Sequence, residues 1–177
     1  MFSKTILSIY DRTGQISAAY RSAGYEVIQL DISLNGVDSR SIEYQPNLKL
    51  HGIIAAPPCL YFSKANTVKK FEINKVEALS LVDVIFRFIV LYEPKWWVIE
   101  NPSESRLWRY IGEPKQKIKL SDYGYSSLKG TGLWGNFNKI KKHSKPQKPL
   151  RPLDTLSQLN RSVTPLGLGI EFFKANP

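Results

Sequence analysis

The chain has 177 residues, 42% of them hydrophobic, and a formal net charge of +10. That length suits a single domain with a sizeable core, and the apolar content argues against disorder. One cysteine excludes an intramolecular disulfide framework and a clustered thiolate metal site, two histidines make a His-based metal site a poor fit, and the cationic surplus suits a polyanionic partner such as nucleic acid or another phosphate-bearing ligand.

In chain order, "KTILSIY" (4–10) is a short apolar run followed by a turn, "DRTG". "ISAAYRSAG" (16–24) predicts a helix closed by Gly24, and "YEVIQLDI" (25–32) a strand that ends in an acid. "HGIIAAP" (51–57) predicts a strand closed by Pro57-Pro58. From Asn74 to Tyr92, apolar residues recur at Val76, Leu79, Val82, Phe86, Ile89 and Val90, a helix face that Pro94 stops. "KWWVIEN" (95–101) is a strand of buried type, again acid-ended and followed by proline. "KQKIKL" (115–120) and "GTGLWGNF" (130–137) predict later strands. "TPLGLGIEFFKAN" (164–176) predicts a C-terminal helix with Thr164 as N-cap and Pro165 at its first position.

Strands alternating with helices imply an α/β fold, a mostly parallel sheet with helices on both faces, in a single domain spanning 1–177. In such sheets ligands bind outside the carboxyl ends of the strands. Asp11, Asp31, Cys59 and Glu100 all fall at such ends. The stretch 138–157 begins with Lys139–Arg151, which holds six cationic side chains and no acid and is punctuated by proline. It reads as an extended basic loop. The N-terminus has no signal-peptide core, and the long helix carries Glu77, Asp83 and Arg87, so a soluble, cytoplasmic protein is expected.

Cys59 closes "GIIAAPPC" and is followed by "LYFS". A free cysteine is ordinarily a small buried hydrophobe. Here a rigid Pro-Pro after a strand end would hold it at a cleft instead. Glu100, in "VIENPSE" (98–104), is a carboxylate at the end of a strand as apolar as "WWVI", an awkward place unless it is used; Asn101 before Pro102 also suits turn chemistry.

Together "PPCLYFS" and "IENP" resemble the catalytic motifs of the C5-cytosine methyltransferases, which show Pro-Cys followed by Phe-Ser and later Glu-Asn-Val. The resemblance runs along nearly the whole chain in the family's order, and is closest to short phage-type members. "ILSIYDRTG" stands where the family has its Phe-x-Gly-x-Gly cofactor loop, "VIQLDI" ends where it has the acid for the cofactor's ribose, and "GVDSRSI" resembles the Gly-Asp-Ile segment. "SDYGYSSLKGTGLWG" resembles the segment leading into Gln-x-Arg-x-Arg, and "LNRSVTPLGLGIEFF" the closing motif.

The resemblance implies a Rossmann-like, S-adenosylmethionine-dependent methyltransferase fold and a cytosine C5-methyltransferase acting on DNA. Cys59 would be the nucleophile that adds to cytosine C6, and Glu100 would bind the base at N3 and the 4-amino group. A free thiol is mostly protonated at neutral pH, so the site should favour the thiolate. Pro58, Ser63, Asn101, Pro102 and Lys129 are the implied substrate-binding residues. Tyr10, Asp11, Thr13, Gly14, Asp31, Ile32, Asp38, Pro57, Asn160 and Val163 are implied for S-adenosylmethionine, and no metal is implied. A target inside a duplex would be flipped out.

The chain departs from the family in three places. The cofactor loop is "YDRTG", with Asp11 and Arg12 where small residues are usual. The Gln and two Arg of the later motif fall at Ser127, Lys129 and Thr131, so only Lys129 keeps a cation. The stretch between Phe137 and Asn160 is too short for the family's target-recognition domain. The basic run Lys139–Arg151 is therefore the expected DNA contact. Two other readings stay open: C5 modification of a free pyrimidine nucleotide or RNA, and a catalytically silent nucleic-acid-binding relative.

Overall fold

A computed structural model of the chain describes residues 4–62, 75–125, 129–143 and 163–177. Its centre is a six-stranded sheet of β1 (Thr5–Ile9), β2 (Glu26–Leu30), β3 (Leu50–Ala55), β4 (Trp96–Pro102), β5 (Gln116–Lys119) and β6 (Gly130–Asn136), in the order β2-β1-β3-β4-β6-β5. β1 pairs in parallel with both β2 and β3, and β3 pairs in parallel with β4. β6 is antiparallel to both β4 and β5, because the chain folds back after β5 and inserts β6 beside β4. The expected mostly parallel α/β sheet is present, with this one reversed strand.

β1 and β3 are apolar on both faces because both faces are covered. Ile6, Ile54 and Val98 pack on one side with α1 (Ala18–Ser22) and the C-terminal helix α5 (Leu166–Ala175). Leu7, Ile53 and Ile99 pack on the other with α3 (Lys75–Tyr92). Burying each such side chain contributes about 1.5–3 kcal/mol. Among the described residues, no helix is long and apolar enough to cross a membrane.

Two expectations are corrected. The buried stripe of α3 runs through Ala78, Val82, Ile85 and Phe88, while Val76 and Val90 are 78% and 72% exposed. The helix is rotated so that a compact stripe of Ala, Val, Ile and Phe meets the sheet. Secondly, α5 begins one residue later than expected: Pro165, with ψ of 142°, is its extended cap and Thr164 makes no capping bond.

The chain passes outward from β1 to β2 and then crosses back to β3 on the other side of β1. That reversal opens a crevice at the carboxyl ends of β1 and β3, where ligands of open α/β sheets bind.

Candidate active site

β3 ends at Ala55, and Ala56 still donates its N–H to the Ile9 carbonyl at 2.9 Å. Pro57 and Pro58 have no N–H to continue the ladder, so the chain leaves the sheet there. It closes into a single 3₁₀ turn, Cys59–Tyr61, whose last bond runs from Phe62 N–H to the Cys59 carbonyl at 3.1 Å. Phe62 is buried and anchors the turn, while Cys59 is left exposed.

The neighbouring strand β4 carries Glu100 and Asn101 to the same rim. Glu100 is only 8% exposed and accepts a 2.8 Å hydrogen bond from the Thr131 hydroxyl on β6. Asn101 is buried and donates from Nδ2 to the Pro57 carbonyl at 2.8 Å. That bond fastens the carboxyl end of β4 to the loop carrying the cysteine. Lys129 enters β6 beside them, its carbonyl accepting from Leu120 N–H at 2.9 Å.

Glu100 and Lys129 both lie close enough to Cys59 to act on it electrostatically. Cys59 reaches solvent, yet the protein atoms around it partly desolvate its thiol and push it up; Lys129 opposes this with its positive charge, and the Glu100 carboxylate adds to it. The thiolate expected here is therefore favoured by Lys129 and opposed by desolvation and by Glu100. Desolvation disfavours the anion, and a carboxylate next to it repels it.

At the other half of the crevice, the loop after β1 is built differently from a glycine-rich one. Tyr10 takes φ of 60° and Gly14 φ of 63°, both in the left-handed region. Asp11 is 5% exposed and turned inward: it accepts from the Ser8 hydroxyl at 3.1 Å, Gly14 N–H at 3.0 Å and the Thr13 hydroxyl at 3.3 Å. Its burial raises its pKa, and these three donors oppose the rise. The Asp11 carboxylate holds the loop, because the loop's own donors surround it, and so fixes the backbone of this turn. Tyr10 is likewise turned into the fold, its hydroxyl donating to the Leu81 carbonyl at 3.0 Å and lying 2.6 Å from Ser39 Oγ. Thr13 stays exposed.

Asp31 caps the short helix α2 (Ile32–Asn35) through Oδ1, which accepts from Ser33 N–H at 2.9 Å and from the Ser33 hydroxyl. Its Oδ2 has no hydrogen-bond partner among the described residues, and the next residue, Ile32, is 65% exposed. Asp38 is engaged by Arg40, whose guanidinium also reaches Glu77, and these bonds hold the Asp38 carboxyl below its usual range. It caps the 3₁₀ turn Ser39–Ser41. Both of its oxygens accept from Arg40, through the guanidinium and the backbone N–H.

Pro57 is buried, and Pro58, Pro102 and Val163 are half-buried. Ser63 and Asn160 lie outside the described residues, as does 144–151 of the basic run. In the described part of that run, Lys142 pairs with Asp122 at 3.2 Å, and His143 Nδ1 lies 2.9 Å from Glu171. Sequence reasoning passed over Thr131 as a lost arginine. The register that sets Pro102 opposite Thr131 places its hydroxyl on Glu100, and no local signal carries that. Among the described residues no group of His, Cys, Asp and Glu could hold a metal ion.

The sheet order with its reversed β6 is an α/β fold shared with a solved methyltransferase. No family model matches the chain. It is 28% identical over 149 residues, 73% of its own length and 69% of the relative's, to "Probable DNA (cytosine-5)-methyltransferase" of Frog virus 3 (isolate Goorha). A solved E. coli structure, described as a prophage-encoded DNA modification methyltransferase, matches 85% of the chain with TM-score 0.52 at 16% identity. The chain spans about half of that protein, 52% of its length. The Entamoeba histolytica methyltransferase EhMeth aligns over 84% of the chain, with TM-score 0.49 and 14% identity.

Proposed function

We propose that the protein transfers a methyl group to C5 of cytosine in DNA through a covalent bond between Cys59 Sγ and cytosine C6. The observation that carries this reading is the convergence of Cys59, Glu100 and Lys129 at the carboxyl ends of two adjacent parallel strands, latched by the Asn101–Pro57 bond.

Each residue has a chemical task. Cytosine C5 is a weak nucleophile until a thiolate adds to C6 and makes C5 enamine-like. Cys59 is exposed on a turn pinned by Phe62, which suits attack on a base brought to it from outside. Glu100, oriented by Thr131, is suited to the N3 and 4-amino edge. N3 is an acceptor, so Glu100 must bring a proton to pair with it. That proton also cancels the negative charge that raises the thiol pKa, leaving Lys129 to favour the thiolate. Base binding and cysteine activation are then one coupled event. After C5 takes the methyl, solvent water takes the C5 proton, the C5–H electron pair re-forms the C5–C6 double bond as Cys59 leaves as thiolate, and the N3 proton returns to Glu100.

The residues suit S-adenosylmethionine on two observations: the free Oδ2 of Asp31 at the end of β2 can accept ribose hydroxyls, and exposed Ile32 offers an apolar surface beside it. Bound there, the cofactor supplies an electrophilic methyl group. Gly14 and the backbone of the Asp11-braced loop form the adjoining wall.

The test uses DNA carrying 5-fluorocytosine. Fluorine replaces the proton that must leave C5, so a Cys59 adduct formed with cofactor present cannot resolve. A denaturation-resistant protein–DNA species in the wild type, absent in Cys59→Ala, is expected. Parallel arms with RNA and dCMP identify another substrate, and no adduct in any arm refutes the covalent reading.

A further inference from the structure

The segment after Glu100 does more than close the site. Ser105 N–H donates to the Pro102 carbonyl at 2.9 Å, and the buried Trp108 indole N–H to the same carbonyl at 2.9 Å. Arg106 N–H donates to the Phe62 carbonyl at 2.8 Å. The turn from Arg106 into the short helix α4 (Trp108–Ile111) is thus hung between the Glu100 strand and the Cys59 turn. Leu107 and Trp108 are buried beneath it.

Its outer side has a different chemistry. Arg106, Arg109 and Tyr110 are exposed, and the Arg109 N–H to Arg106 carbonyl bond of 3.0 Å puts the arginines one turn apart. Neither guanidinium has an ion-pair partner among the described residues. The nearby acids are drawn elsewhere: Glu113 pairs with Lys117 at 2.8 Å, and Glu104 also acts on Lys117. The Tyr110 ring is 51% exposed and lies 6.5 Å from the Phe62 ring, directly after the Cys59 turn.

We propose that this face, Arg106, Arg109 and Tyr110, grips the DNA strand flanking the target base, with the arginines on phosphates and Tyr110 stacked on a base exposed as the target leaves the helix. Two guanidiniums without an ion-pair partner among the described residues, next to an exposed aromatic ring, have the composition of a sequence-tolerant strand-binding surface. The placement supplies, next to the reacting cysteine, a grip that the stretch between Phe137 and Asn160 is too short to supply as a domain. The inference rests on the DNA reading above.

The test is fluorescence anisotropy with single-stranded and duplex oligonucleotides over a salt series. Replacing both arginines by glutamine (Arg106→Gln, Arg109→Gln) should reduce the slope of log affinity against log salt by about 1.4 on single strands and about 1.8 on duplex. The charge-conserving pair Arg106→Lys, Arg109→Lys should restore it. Tyr110→Ala should weaken single-strand binding about tenfold without changing the slope. An unchanged slope in the glutamine variant overturns this proposal while the covalent reading stands. If the wild type binds neither oligonucleotide, the DNA reading falls, and this proposal with it.

Discussion

Thr131→Val separates the packing of the site from its chemistry. Thr131 is fully buried, and its hydroxyl donates to a carboxylate that is 8% exposed, at 2.8 Å. Valine keeps the shape, so the cavity contribution is close to zero and the loss is that of a hydrogen bond to a charged group. Such a bond contributes about 1.5–3 kcal/mol. For a chain of this length each kcal/mol moves Tm by about 2–4 °C, so a fall of about 3–12 °C is expected in thermal denaturation. Methyl transfer should fall with it, because Glu100 loses the group that aims it. Thr131→Ser inverts the pattern. It keeps the hydroxyl and loses a buried methyl, so it should cost about 1 kcal/mol and retain most activity. A valine variant with unchanged Tm and full activity would refute the reasoning: the Thr131–Glu100 bond would then contribute neither to stability nor to aim.

The Cys59 thiol should alkylate with iodoacetamide with a midpoint above that of an ordinary thiol, because burial raises it. Glu100→Gln should move that midpoint down and Lys129→Met should move it up, read by mass spectrometry across a pH series. Asp31→Ala should weaken S-adenosylmethionine binding in calorimetry, whereas Cys59→Ala should leave it intact; equal losses would mean that the two halves of the crevice are wrongly divided. Gly52→Ala should destabilise the fold by about 1–3 kcal/mol or more, since an added Cβ would run into the Trp96 ring laid across it; a melting curve reads this directly.

Much of the architecture was legible in the chain because its causes are local. Runs such as "HGIIAAP" and "KWWVIEN" are strands because side chains on both faces are apolar, and prolines end them because they cannot continue the ladder. The placement of Cys59 and Glu100 at strand ends follows from that punctuation alone. Three features depend on residues brought together from afar. The rotation of α3 follows from which side chains fit the sheet, and a repeat of three and four cannot choose between overlapping stripes. The role of the Asp11 carboxylate as a loop brace comes from donors at Ser8, Thr13 and Gly14 closing around it. The chemistry of the cysteine was decided last of all: its thiol responds to Glu100 and Lys129, residues 41 and 70 positions away, the first brought to it by the pairing of β3 with β4 and the second by the insertion of β6 beside β4.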